Sequence, residues 1–188
     1  DEHQWSGLYV SPGFLRRRME LIRAAGCRVL PLDEALDRLG RDALPDRAVA
    51  ITFDDGFHDF HGAAFPIIEA AGYAATLYLT TYYVEYQRPV FDPMCSYLLW
   101  KGRERGRLEW PEVLPEGVPL DEPERETAVR RVKQYALERK LGSAEKDELL
   151  RQLAGRLGID YGELCRRRVL HLITPEEARE LAARGVAI

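Results

Sequence analysis

Residues 48–80 constrain the fold more than any other stretch of the chain. Ala48-Val49-Ala50-Ile51-Thr52-Phe53 is a short, β-branched, apolar run bounded by turn residues, which is the mark of a buried strand. It ends in Asp54-Asp55-Gly56. A helix is predicted within 57–71, with Pro66 marking a kink or a late start and Gly72 the stop, and a second strand follows over 74–80. A strand, a helix and a strand joined by such short links demand parallel pairing through a right-handed crossover. The chain therefore reads as α/β, a sheet or a barrel, and not as a helical bundle or a β-sandwich. The preceding residues continue the alternation. Ser11 as N-cap and Pro12 at the first helical position open a helix with Leu15, Met19 and Ile22 at apolar spacing up to Gly26. A strand is predicted over 28–30. Asp33 is placed to cap a further helix through Leu39, with Leu32, Ala35, Leu36 and Leu39 on one side and Gly40 as its stop.

Beyond residue 90 the character changes. Over 91–172 strand signals fade, charges of both signs intermingle and helical spacing takes over, so this stretch reads as a mainly helical insertion between α/β parts at 1–90 and 173–188. Pro123 begins a helix to about Lys140, Ser143 caps another, and Asp160 with Glu163 makes a capping box for a third. The Pro and Gly density of 102–119 predicts an irregular loop. Thr174 and Glu177 form a second capping box for a helix ending at Gly185, and Val186-Ala187-Ile188 reads as a strand just beginning. An unpaired apolar stub buries little, so the 188 residues are expected to be a fragment of a longer protein.

Composition sets outer bounds. Apolar residues make up 46% and charged residues 31%, as in folded globular domains, which excludes wholesale disorder and collagen-like classes. A net charge of -4 gives no general attraction for a phosphate backbone, so nucleic acid is not an expected partner. The longest uncharged run, 70–84, is shorter than the roughly 18 to 20 residues needed to span a bilayer. Cys27, Cys95 and Cys165 are too few and too dispersed for a disulfide framework or a zinc knuckle. Asp1-Glu2-His3-Gln4-Trp5 has none of the basic start and apolar stretch of a signal peptide, and the compartment stays open.

Chemistry concentrates at Thr52-Phe53-Asp54-Asp55-Gly56. Strand alternation sets Val49, Ile51 and Phe53 on one face and Ala50, Thr52 and Asp54 on the other, where the small side chains leave space above the acid. Gly56 permits a bend that turns Asp55 toward the same cavity. Strand tips of this kind are where α/β folds place ligands. Two neighbouring carboxylates repel each other, and a bound cation resolves the conflict: one Asp ligates it, while the other takes a proton from its water. The competing reading makes Asp54 a helix cap and Asp55 a solvated turn residue.

Other residues carry weaker signals. His58 and His61 have a spacing that can share a helix face near Asp55, so they are candidate metal ligands, with surface or capping roles as the alternative. His3 and His171 read as ordinary polar residues. Tyr78, Tyr82, Tyr83, Tyr86 and Trp100 form an aromatic stretch suited either to core packing or to stacking on a sugar. Arg166-Arg167-Arg168 reads as a solvated basic face.

The run from Ala48 to Thr81, with Thr-Phe-Asp-Asp-Gly at its centre and Ala64-Phe65-Pro66-Ile67-Ile68, Gly72-Tyr73 and Ala75-Thr76-Leu77-Tyr78-Leu79 after it, resembles the first motif region of polysaccharide deacetylases with a NodB-type domain. Phe14-Leu15 through Gly26 and Leu30-Pro31-Leu32 resemble the elements that precede this motif, and Leu172-Ile173-Thr174 to Ile188 those that lead to the second. The resemblance implies a distorted (β/α) barrel, here partial, that hydrolyses N-acetyl groups on the amino sugars of a glycan with a divalent metal, commonly zinc. By position it makes Asp54 the general base and Asp55 a metal ligand. The family's His-x-x-x-His segment and its later arginine and histidine motifs are not found in these residues, so the chain alone is expected to lack a complete site. Two other readings stay open: a fold of this type that binds a glycan or a partner without turnover, and a Mg²⁺ site for phosphate transfer, which lacks a Gly-rich cradle.

Overall fold

A computed structural model describes residues 10–188, which divide into two compact units, one formed by residues 10–87 with Leu172–Ile188 and the other by Arg88–His171. Asp1 to Trp5, with His3, where a targeting signal would show its basic start, lie outside the described residues.

In the first unit, helix α1 (Pro12–Ala24) starts as its sequence demands: Ser11 Oγ accepts the Phe14 N–H at 3.1 Å, and Pro12 occupies a position where no N–H is needed. Its Leu15 and Met19 are buried with Ile67, Ile68 and Ala75. Strand β1 (Arg28–Val29) leads to α2 (Leu32–Gly40). Asp33 is not the cap. Pro31 holds that position without a side-chain bond, while Asp33 and Glu34 sit in the first turn, where negative charge suits the helix dipole. Leu36 and Leu39 remain 57% and 60% exposed, so the apolar side of α2 is not buried.

The apolar run at 48–53 divides into β2 (Ala48–Val49) and β3 (Thr52–Phe53), because its two halves pair with different neighbours. β2 runs parallel to β1, with Val29 opposite Val49. β3 runs parallel to β4 (Thr76–Leu77), with Thr52 opposite Thr76 and Phe53 opposite Leu77. The crossover between them starts at His58, widens into a π-helical turn at Phe60–Ala64 and continues as α3 (Phe65–Ala71). Pro66 has no N–H for the carbonyl four residues back, and the Phe65 N–H reaches Phe60 O instead, which opens the turn. Gly72, at φ 70°, ends the helix. A short helix, α4 (Thr81–Tyr86), follows β4.

The second unit contains α5 (Phe91–Lys101), β5 (Arg107–Trp110), β6 (Leu114–Pro119), α6 (Glu124–Glu138), α7 (Ser143–Leu157) and α8 (Tyr161–Arg166). The stretch expected to be an irregular loop is an antiparallel β-hairpin. Its prolines fall in the turn (Pro111), beside an exposed position (Pro115) and at the strand end (Pro119), so they obscure the inward alternation of Leu108 and Trp110 without breaking it. Ser143 is the first helical residue of α7 and not its cap; Gly142 holds that place, and Glu145 accepts its N–H at 2.7 Å. Asp160 does cap α8, accepting the Glu163 N–H at 2.9 Å. Met94, Cys95, Leu98, Leu99, Leu114, Val132 and Leu153 are among the side chains that close a continuous core. Within this unit Asp147 is buried: its Oδ1 accepts from the Tyr161 hydroxyl at 2.8 Å, and its Oδ2 meets Arg88 at 2.6 Å and Arg151 at 3.1 Å.

The chain returns to the first unit through α9 (Pro175–Ala183), whose capping box is complete: Glu177 accepts the Thr174 N–H at 2.8 Å, and Thr174 Oγ1 accepts the Glu177 N–H at 3.1 Å. Leu181 and Val186 join Phe60, Phe65, Leu77 and Ile173 in a second small core. Ala187 bridges Thr76 in parallel, donating to Ala75 O at 3.1 Å and accepting the Leu77 N–H at 2.8 Å, so β4 is flanked on both sides. Among the described residues the helices and parallel strands make an α/β arrangement, and no closed barrel is formed.

Candidate functional site

The Asp54-Asp55 turn is set by what lies on either side of it. Phe53 points into the core, its ring 4.7 Å from Phe60, and alternation then turns Thr52 and Asp54 to the opposite, exposed face. Immediately afterwards the chain closes on itself: Gly56 N–H donates to Asp54 O at 2.8 Å, and Asp55 between them has φ 67°. A hydrogen bond between residues two apart around a left-handed centre is a γ-turn, a strained conformation for a residue with a Cβ.

Three neighbours hold it. Thr80 N–H donates to Asp55 O at 3.2 Å, Ile173 N–H donates to Gly56 O at 2.8 Å, and the Leu79 side chain covers Gly56 so closely that a Cβ there would stand 2.2 Å from Leu79 Cδ2. Gly56, at φ 82°, is thus favoured by its conformation, and a Cβ there would also displace the Leu79 tip. Thr80 Oγ1 also makes a long hydrogen bond of 3.5 Å to Asp55 Oδ1. Thr80, Leu79 and Ile173 were not singled out from the sequence. The signal for the first two was present, since pairing the strand before Asp54 with the strand over 74–80 in parallel puts their carboxyl ends side by side.

Asp54 and Asp55 are both exposed. A cleft of about 580 Å³ in this unit is lined by Pro12, Met19, Pro66 and their neighbours, and one of about 630 Å³ in the other unit by Gly102, Arg105 and Asp160 among others. Neither is lined by the pair. Exposed carboxylates keep their hydration and their repulsion is screened, so burial does not by itself call for a cation here.

The histidines are engaged elsewhere. His58 Nδ1 lies 3.5 Å from Glu177 Oε1, and His61 Nε2 lies 3.1 Å from Glu180 Oε2, so both rings face α9. His61 and then Arg184 hold the Glu180 carboxyl below its ordinary range, and Arg184 also grips Glu69 at 2.6 Å. His171 is buried in the other unit with Nδ1 3.0 Å from Val169 O. Asp59, one turn after the pair, is exposed as a residue, yet desolvation of its carboxyl outweighs the Phe60 N–H and His58, and its pKa is raised. Among the described residues no group of three or more His, Cys, Asp or Glu could hold a metal ion. A complete metal centre is not assembled from the residues described.

The aromatic stretch divides between the units. Tyr78, Tyr82 and Tyr86 are exposed beside the turn, whereas Trp100 packs in the other unit with Tyr97 and Arg103. Arg166 in the basic run is paired with Glu163 at 2.8 Å. No helix of the described residues is long and apolar enough to cross a membrane.

Comparison with known proteins agrees with the turn's sequence. Residues 41–114 match the family model for polysaccharide deacetylase. No curated protein and no solved structure matches the chain. The matched residues include the strained Asp54-Asp55 turn, the crossover helix and the strand that clamps the turn, and over this stretch the chain is similar to the polysaccharide deacetylase family.

Proposed function

We propose that this chain carries part of a hydrolase that removes N-acetyl groups from the amino sugars of a glycan, with Asp54 as general base and Asp55 as ligand to a divalent metal, zinc being the first candidate. The observation that supports it most is the left-handed Asp55 at the carboxyl end of a parallel strand, inside the segment that matches the deacetylase family. Strain of about 1 to 3 kcal/mol is kept at a position that packing alone does not require to be aspartate. In the reaction a water oxygen bonds to the acetamide carbonyl carbon as Asp54 takes a water proton; that proton passes to the nitrogen as the C–N bond breaks, and the new acetic acid gives its own proton to the amine, leaving acetate and a protonated amine. A divalent metal, when bound, polarises that carbonyl and acidifies the water. Asp55 offers it one carboxylate, held by Thr80. The parallel pairs β1–β2 and β3–β4 would belong to a distorted (β/α) barrel of the NodB type, with residues 91–172 as its insertion.

The test is acetate release from N-acetylated oligosaccharides by the full-length protein. Loss of release in chelator and its return with Zn²⁺ is the expected result. A second reading, a glycan-binding or partner-binding module without turnover, is favoured by the absence of a three-ligand group among the described residues. Oligosaccharide binding with no acetate released in metal-replete buffer would select it.

A further inference from the structure

We propose that Tyr78, Tyr82 and Tyr86 form a ledge beside Asp54 that stacks on the rings of an uncharged hexopyranose chain, a substrate subsite resting on the deacetylase reading above. The parallel register sets Thr52 opposite Thr76 and Phe53 opposite Leu77, and one step further it sets Tyr78 next to Asp54. Leu77, 1% exposed, faces the core, so Tyr78 stands on the open face with Thr52 and Asp54. Tyr82 and Tyr86 then fall four apart on α4 and share one face of it, with ring centroids 4.8 Å apart. Tyr83 meets Tyr82 edge-on at 5.1 Å.

The helix that presents these rings is pinned. Val84 is buried beneath it, and Gln87, in the left-handed region at φ 45°, donates from Nε2 to Val84 O at 2.7 Å and to Ile173 O at 3.1 Å. The same Ile173 holds Gly56 of the catalytic turn, so ledge and carboxylates share an anchor. Tyr78, Tyr82 and Tyr86 are nevertheless 53%, 44% and 56% exposed, while Phe60 and Phe65 of the same unit are 4% exposed. Fixed rings left in water on a helix that Val84 and Gln87 already hold point to an external ligand.

The surroundings choose its chemistry. Residues 74–87 carry Glu85 as their single charge and no Lys or Arg, which disfavours a phosphate-bearing or otherwise anionic ligand. Thr52 of the neighbouring strand and Thr80 and Thr81 at the start of the helix are exposed as well and add hydroxyls to this stretch. Apolar ring faces and hydroxyls match a pyranose, which has C–H faces and hydroxyl edges.

The experiment titrates the full-length protein with a hexamer of β-1,4-linked N-acetylglucosamine, following the tyrosine ring resonances and the heat of binding. Tyr82→Ala and Tyr86→Ala are expected to weaken binding about tenfold each, with Tyr82→Phe close to the parent. In turnover the alanine variants raise KM and leave kcat in place. Asp54→Asn keeps the hexamer affinity. Unchanged affinity in the alanine variants, with turnover lost in Asp54→Asn, overturns the ledge and leaves the base intact. Weakened affinity in the alanine variants with full turnover in Asp54→Asn keeps the ledge and removes the base. No shift of any ring by the hexamer overturns the proposal, as does a concentration-dependent dimer that Tyr82→Ala dissociates, because the face would then belong to a second copy.

Discussion

Asp147 and Asp55 show how differently the two units use a carboxylate. Asp147 is buried, with both oxygens satisfied by Tyr161, Arg88 and Arg151 on a unit whose apolar side chains form one continuous core. Asp55 is exposed on a strained backbone, with one long side-chain hydrogen bond, in a unit whose buried residues separate into two smaller clusters joined by the partly buried Phe53 and Ala64. The first arrangement removes a charge from water and meets all its demands, which suits a structural part. The second keeps a carboxylate wet and aimed, which suits one that must still take a proton or a ligand. The larger continuous core therefore lies in the second unit, and the exposed, strained acid in the first.

The contrast predicts a ranking of stability effects. Leu98→Ala opens a cavity in the second unit's core and is expected to cost about 2 to 5 kcal/mol in urea denaturation, against less than about 0.5 kcal/mol for Leu36→Ala on the exposed side of α2. Equal costs would break the comparison. Next, Asp147→Ala removes the buried acceptor of the Tyr161 hydroxyl and the partner of Arg88; about 2 kcal/mol should be lost by the same measurement. Asp55→Gly reverses the sign: glycine accepts the left-handed backbone, and the thermal midpoint should rise by the equivalent of about 1 kcal/mol while acetate release by the full-length protein fails. A fall in the midpoint would show that Asp55 is held there for stability.

The smallest effect is read from pH. Burial first, and then the bond to Asp147, raise the Tyr161 phenol above its ordinary value. Because the folded pKa exceeds the unfolded one of about 10, Tyr161 contributes fully at lower pH, and its contribution falls as pH climbs above about 10. Tyr161→Phe should cost about 1 kcal/mol at neutral pH and flatten that alkaline decline in denaturation midpoints.

Much of the first unit could be read from residues because its signals are local. Ser11-Pro12, Gly72 and the Thr174-Glu177 pair each satisfy a helix terminus within a few positions, and the run at 48–53 announces a strand through its β-branched composition. The structure departs from the sequence reading where long-range contacts decide. Nothing inside 48–53 says that its halves pair with different strands. Nothing in 102–119 says that Trp110 and Leu114 will find a core and draw a proline-rich stretch into a hairpin. Asp147 gave no signal, because a charge on a helix reads as solvated until Tyr161 and Arg88 are brought to it. At the candidate site the two acids and the strand tip were legible. The γ-turn at Asp55, the clamp by Leu79 and Thr80, and the turning of His58 and His61 toward Glu177 and Glu180 depend on β4 and α9 arriving from elsewhere in the chain. The exposure of the pair depends on what distant segments leave uncovered, which the small residues preceding an acid do not reveal.

The most direct test measures acetate release by the full-length protein carrying Asp54→Asn or Asp55→Asn, each alone, alongside its thermal midpoint. Loss of at least about a hundredfold in kcat/KM for each substitution, with midpoints at or above the parent's, is the predicted result. Parental release in either variant would contradict the assignment of chemistry to this turn.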